Sequence, residues 1–426
     1  MSTRSRALLF VTRTSCQVRS LYCPSRAARS CTSTAPRPPP RRTSMSPKRR
    51  PDVVCFSHLR WSFVFQRPQH LLSRCARTRR VFFFEEPVWS DGPPRIEAAS
   101  VDRHGVRVVT PHLPSGLDDA RIHALQRDLV DDMLDRFGID DHVLWYYTPM
   151  ALLFSRHLAA RAVVYDCMDE LSAFAGAPPA LKHHEAELLR RADVVFTGGR
   201  SLYESKRALH ANVHLLPSSV DVAHFSAARR PLAPPADQAT IPGPRLGYFG
   251  VIDERMDLDL IAGVAAARPG WHLVFVGPVV KIDPASLPRA PNIHYLSKKT
   301  YEELPAYLAG WDVALLPFAR NEATRFISPT KTPEYLAGGK PVVSTSIRDV
   351  VRPYGELGLA RIADTAGDFV AAVEAYLAED HAARLARADA LLAQGSWDAT
   401  WSKIEKLLDG VLMVARRPAA RQGADV

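Results

Sequence analysis

The stretch RLGYFGVIDERMDLDLIAGVAAARPGWHLVFVGP, residues 245–278, decides the fold. It opens on a short apolar run, turns at Gly250, enters a helix that Asp257 is placed to cap, and returns to a second apolar run. Two parallel strands need a long crossover between them, so strand, helix and strand at this spacing read as a parallel βαβ unit. The same alternation continues downstream through NIHYL (292–296), a helix at YEELPAYLAG, DVALLPF (312–318), a short helix at Pro333–Ala337 and PVVSTS (341–346). Residues 366–391 and 398–416 read as closing helices. Upstream it runs through DVVCFSH, VFFFEEP, VRVVTP, HVLWYY, AVVYDCMD, ADVVFTG and VHLLPSS, with helical patterns such as LKHHEAELLRRA between them.

RRPLAPPADQATIPGP, residues 229–244, separates the two series; it carries five prolines, no apolar period, and is a linker by composition. The reading is therefore α/β, with two doubly wound Rossmann-like domains, residues 51–228 and 245–395, facing across a cleft. Residues 396–418 form a closing helix, and 1–50 and 419–426 are disordered tails. In such folds ligands lie beyond the C-terminal ends of the strands, and a nucleotide-type ligand is expected there.

A net charge of +10 over 426 residues invites a nucleic-acid reading, but residues 1–50 hold twelve Lys/Arg and no Asp/Glu. Of the 55 basic residues, 43 remain against 45 acidic ones beyond that point, so the body carries −2 and no basic surplus. A nucleic-acid partner is not expected, and no run reaches the ~20 apolar residues of a membrane-spanning helix. The Arg-, Ser- and Pro-rich tail reads as an organellar transit peptide, as an arm for anionic lipid or polymer, or as a mis-assigned start with Met45 the initiator; the last is favoured. Six cysteines with no C-x-x-C pair point to reduced thiols, the cytosol and no structural zinc.

The densest chemical signal is SPTKTPEYLAGGKPVVST, residues 328–345. Gly338-Gly339 and Pro341 stop its helix after about two turns. A helix start suits a phosphate, Lys331 adds a full charge, and the carboxylate of Glu334 suits a ribose diol; a plain helix-dipole role for Glu334 is the alternative. In GYFGVIDERMD (247–257), Gly250 allows a ligand close to the backbone and Arg255 can reach an anion. Neither G-x-G-x-x-G nor G-x-x-x-x-G-K-[ST] is present, so dehydrogenase and P-loop readings lack their hallmark. SHLRWSFVFQRPQHLL (57–72) sets Arg60, Arg67 and His70 beyond the first strand, and VVYDCMDEL (163–171) sets Asp166, Asp169 and Glu170 beyond another. Paired carboxylates there suit acid–base work or hydroxyl binding. No ligand spacing for a metal is visible, and none is expected.

LLPSSVDVAHF (215–225), the linker, GYFGVIDERMDL, HLVFVGP, NIHYL, LPAYLAGWDVALLPF and SPTKTPEYLAGGKPVV, in that order, resemble the C-terminal half of the retaining glycosyltransferases of family four, which have the GT-B architecture. QRPQHLLSR, VVYDCMDELSAF and GGRSLYESK resemble its teichuronic-acid-type branch. The resemblance spans about residues 52–415. It implies a metal-independent, hexosyltransferase-type enzyme that needs no cofactor and moves a sugar from a nucleotide-diphosphate donor to an acceptor hydroxyl with retention, in cell-surface polysaccharide or glycolipid biosynthesis. Carried over by position, Glu334 holds the ribose, while Lys331, Arg255, Gly250 and the backbone of Ser328, Pro329 and Thr330 hold the diphosphate. Arg255, Lys331 and Asp169 are the implied catalytic groups; Arg60, Arg67, His70 and Asp166 are placed on the side of the acceptor, a carbohydrate or lipid-linked molecule. Asp221 matches the aspartate closing the domain-boundary motif. Such an enzyme is expected in the cytoplasm, free or peripheral on the inner face of the membrane.

Two positions depart from the family's pattern. The glutamate often found eight residues before the ribose-binding one is Phe326, and a His-Asp pair after the N-domain strand is Met168-Asp169. A sugar-nucleotide epimerase of the same fold and a binding protein that has lost catalysis are the alternatives.

Overall fold

The computed structural model describes residues 50–415, so the expectations for the two terminal tails fall outside the described residues, Arg50 apart. The first half is built on β1 (Asp52–Phe56), β2 (Val81–Phe84), β3 (Val88–Trp89), β4 (Arg95–Val101) and β5 (Val106–Leu113). Beyond them come β6 (His142–Tyr146), β7 (Ala162–Cys167), β8 (Val194–Thr197) and β9 (Val213–Leu215). Their order is β3-β5-β2-β1-β6-β7-β8-β9, with β4 hydrogen-bonded outside that path to β5. The β4–β5 pair is antiparallel, the first pair in the sheet being parallel. The hairpin at β4 was not among the expected strands, because RIEAASV has neither an apolar run nor a clean alternation.

β1, β2, β6 and β8 are buried along their whole length, which is why they read as unbroken Val, Phe, Trp and Tyr runs. The pleat sorts them: Val54 and Phe56 join one apolar cluster, Val53 and Cys55 the other. The first cluster is covered by the helix Asp119–Phe137. The second is covered by the helix Arg67–Cys75 and by the last helix, Trp397–Val414, which returns from the end of the chain and buries Trp397, Trp401, Ile404 and Leu408 there.

The second half is β10 (Arg245–Phe249), β11 (His272–Val276), β12 (Ile293–Tyr295), β13 (Val313–Leu316), β14 (Val342–Ser344) and β15 (Ala360–Ile362). All pair in parallel in the order β12-β11-β10-β13-β14-β15. The residues between the halves are less slack than their prolines suggest. A short helix forms at Ala236–Ala239, and the fully buried Gln238 donates to Tyr307 O at 3.0 Å and accepts from Trp311 Nε1 at 2.9 Å. Asp221 caps the turn ahead of this segment, accepting from His224 N at 3.0 Å. The two parallel-sheet α/β halves expected from the sequence are both present.

The two halves touch at the strand exits. Asp349 accepts from the Ser201 amide at 3.0 Å and its hydroxyl at 2.5 Å. At Gly199 a Cβ would stand 2.5 Å from Ser328 Cβ, so the backbone there admits only glycine's bulk.

Candidate active site

The site grows from three turns of the second half. Gly250, just past β10, has φ +139, and a Cβ there would lie 2.1 Å from Lys331 Cε. Glycine is required both for that backbone and for the lysine stem that crosses it. Residues 250–252 are zipped to the turn after β11: Gly250 N donates to Val276 O at 2.9 Å, Ile252 N to Pro278 O at 3.0 Å and Val280 N to Ile252 O at 3.0 Å. The third turn leads into the helix Lys331–Ala337, which starts two residues earlier than its proline suggested, so Lys331 is its first residue.

Arg255 is fixed rather than free. Asp253 takes its Nε at 2.9 Å and its Nη2 at 2.7 Å, and the guanidinium sits 5.6 Å from the ring centroid of Phe174 in the first half. About a quarter of the Arg255 side chain stays exposed. Asp169, at the exit of β7, feels Arg255, Lys281 and Lys331 together, and Lys331 feels Arg255 and Glu334. The two expected cations thus converge on one carboxylate across the groove. Burial pushes the Asp169 carboxyl up to about 6 despite those three cations. It pushes the Glu334 carboxyl up to about 8, against the pull of Lys331 and a hydrogen bond from Thr330, and it lowers Lys331.

A cavity of about 350 Å³ opens beside this cluster, with Gly250, Thr330, Lys331 and Glu334 on its floor and Tyr301 in its wall. The first half contributes the segment Trp61–Gln66 and the turn Asp102–His104. Ser328 and Pro329 lie just outside, half-buried where the halves meet.

The acceptor-side expectations fare differently. Arg67 and Asp166 are 1% and 0% exposed and bind each other through a fork, Nε–Oδ1 3.0 Å and Nη2–Oδ1 2.8 Å, while Arg67 Nη1 also donates to Leu216 O at 2.8 Å. Both are withdrawn from the groove: Asp166 lies inside β7 rather than beyond it, Arg67 opens the helix Arg67–Cys75, and two charges buried this deeply are tolerable only as a pair. His70 is buried and stacked on Trp397, with centroids 4.3 Å apart, and burial lowers its pKa to about 3; it packs the last helix instead of meeting a substrate. Arg60 binds Glu85 at 3.0 Å and Pro87 O at 2.9 Å, which leaves it at the rim. Glu170 pairs with Lys206 at 2.7 Å.

Three groups at the groove were not singled out from the sequence. Lys281, in a left-handed backbone conformation (φ +63), sits 5.1 Å from the Phe174 ring. Its charge reaches Glu86, which burial pushes up to about 7, and His58, which burial pushes down to about 4. All three follow strand ends, in GPVVKID, VFFFEEP and DVVCFSH, as Asp169 does, and their position beyond a strand is the signal they carry in the sequence. Phe326, at the departed glutamate position, packs against the core of the first half, and the exposed Glu322 pairs with Arg325 at 3.5 Å, so neither supplies a carboxylate here. Among the described residues no three His, Cys, Asp or Glu side chains gather as metal ligands.

Residues 243–379 match the family model described as Glycosyl transferases group 1. The chain is also 29% identical over 259 residues to a putative teichuronic acid biosynthesis glycosyltransferase, TuaH, of Bacillus subtilis strain 168, covering 56% of this chain. It spans 64% of that relative's length. Sucrose-phosphate synthase from Thermosynechococcus elongatus superposes with a TM-score of 0.65 at 14% identity, over 86% of this chain and 100% of that one. HepE of Anabaena, in complex with UDP and glucose, superposes with a TM-score of 0.61 at 13% identity, over 84% and 100%. These structural likenesses establish the fold. The matched segment contains all three turns of the site, Gly250 to Glu334.

Proposed function

We propose that the chain is a glycosyltransferase that moves a hexose from a nucleotide-diphosphate donor to an acceptor hydroxyl, with retention, during assembly of a cell-surface polysaccharide or glycolipid. Lys331 and Glu334 side by side in the lining of a nucleoside-sized cavity, with the charge of Arg255 acting on Lys331, carry this reading. The match at residues 243–379 supports the reaction class, and the likeness to the B. subtilis protein supports the cell-surface role.

The ribose diol lies against Glu334 and the diphosphate over Gly250, between Lys331 and Arg255. As the bond from the sugar's anomeric carbon to phosphate oxygen breaks, the electron pair leaves with the nucleoside diphosphate. The acceptor oxygen bonds to the anomeric carbon, and its proton passes to the departing phosphate. Fixed cations aimed at that phosphate stabilise its growing charge by several kcal/mol in a water-poor cleft. The tether of Arg255 to Asp253 means little reorganisation is needed at that moment. An incoming diphosphate also favours the protonated, charged form of Lys331, which burial disfavours. Asp169, opposite the cations, orients hydroxyls of the transferred sugar or acceptor. No protein-bound metal or cofactor is part of the proposal, and turnover should survive a chelator.

A thermal-shift screen with uridine, guanosine and adenosine diphosphates tests the donor site. At least one should stabilise the protein, and Glu334→Ala should erase that shift without lowering the unliganded Tm. No shift with any of them would remove the assignment.

A further inference from the structure

The wall of the cavity holds a hydroxyl that the proposed mechanism does not yet use. Tyr301 begins a helical turn whose start is pinned by Thr300, both its amide and its hydroxyl donating to Glu303 at 2.8 Å. Its ring is held on several sides: His224 stacks on it at 4.1 Å, Phe65 of the first half tilts against it at 4.8 Å, and Phe225 meets it edge-on at 5.6 Å. With the backbone pinned and the ring wedged, its hydroxyl is nevertheless buried without a hydrogen-bond partner. A hydroxyl buried and unsatisfied in a tightly built setting is costly, so such groups usually await a ligand or a water. Tyr301 and Glu334 line the same cavity, and the two groups are close enough to feel each other electrostatically.

We infer that Tyr301 is a second ribose-binding residue, its hydroxyl donating to a ribose oxygen while Glu334 accepts from the diol, and that Phe65 is the positioning residue that holds its ring. This rests on the donor site proposed above and adds that the nucleoside is clasped by both halves of the chain. Other contacts across the groove fit a clasp. Arg103 binds Glu302 at 2.6 Å, and Lys298 reaches Ser62 O at 3.4 Å and lies 5.1 Å from the Phe63 ring. Each joins the segment that roofs the cavity to the residues flanking Tyr301.

The test is calorimetric affinity in the full chain for whichever of uridine, guanosine or adenosine diphosphate binds, for its 2′,3′-dideoxy analogue, and for inorganic pyrophosphate. Tyr301→Phe should weaken the ribonucleotide about tenfold, one hydrogen bond's worth, and change the analogue and pyrophosphate less than about twofold. Phe65→Leu should show the same selective loss, and Phe65→Tyr, which keeps a ring, should restore binding. Wild-type ribonucleotide affinity in Tyr301→Phe, with Glu334→Ala still defective, would overturn the inference and leave the donor site standing. Failure of the unaltered protein to bind any of the three diphosphates would overturn the donor site and the inference with it.

Discussion

At the scale of single residues, the site is organised by how burial treats charge. Asp169 has its carboxyl raised to about 6 from an ordinary 3.8, so the folded protein holds that proton more tightly than the unfolded chain. Its contribution to stability therefore falls as pH rises between about 4 and 6, and the full cost, roughly 2–3 kcal/mol, persists above about 6. Asp169→Asn should accordingly raise the Tm at pH 7.5, lose that advantage near pH 4, and lower turnover; chemical denaturation at the two pH values checks the sign. Arg67→Ala behaves oppositely. It leaves Asp166 buried without its partner and should cost about 3–5 kcal/mol of stability at neutral pH. Urea unfolding measures that loss. Asp169 was legible as a charge beyond a strand end and Arg67 as a charge at a helix start, whereas Asp166, expected after its strand, lies inside β7. What the residue string does not contain is which of them find each other across 99 positions, and so which remain in the groove.

At the scale of elements, strands and helices were readable where one physical cause dominates. Fully buried strands declare themselves by unbroken apolar runs, and the Asp257 cap marks its helix through a hydrogen bond to Leu260 N at 2.9 Å. The β4–β5 hairpin escaped notice because an edge strand needs no such run, and residues 229–244 looked loose because the side chain that anchors them, Gln238, is polar. The helix Trp397–Val414 was legible as a helix but not in its destination, since an apolar stripe does not name its partner. That destination has consequences. Trp397 stacks on His70, whose neighbour in space Phe65 braces Tyr301, 4.7 Å from His70 ring to ring. Trp397→Ala should cost about 3–5 kcal/mol by leaving a cavity. Beyond the drop in Tm, it should weaken nucleotide binding in parallel with Phe65→Leu.

At the scale of the molecule, two parallel sheets present their strand exits to one another, and chemistry gathers where those exits meet. The second half supplies a rigid cradle, Gly250 to Ile252 zipped to the turn after β11 and Arg255 tied to Asp253, and the first half supplies Asp169 and the roof over the cavity. Of the contacts joining them, the Arg103–Glu302 pair is largely exposed, and such pairs are worth about 0–1 kcal/mol and are screened by salt. Arg103→Glu, which sets two like charges face to face, should weaken nucleotide binding a few-fold at low salt and less at 0.5 M, by titration calorimetry.

The central claim is that Arg255 and Lys331 together neutralise the leaving diphosphate. Single-turnover rates with bound donor, in the presence of a chelator, test it for Arg255→Gln and Lys331→Met. The account predicts losses of at least about 100-fold in each, with nucleoside affinity retained through Glu334. Transfer at the unaltered rate in either variant would contradict it.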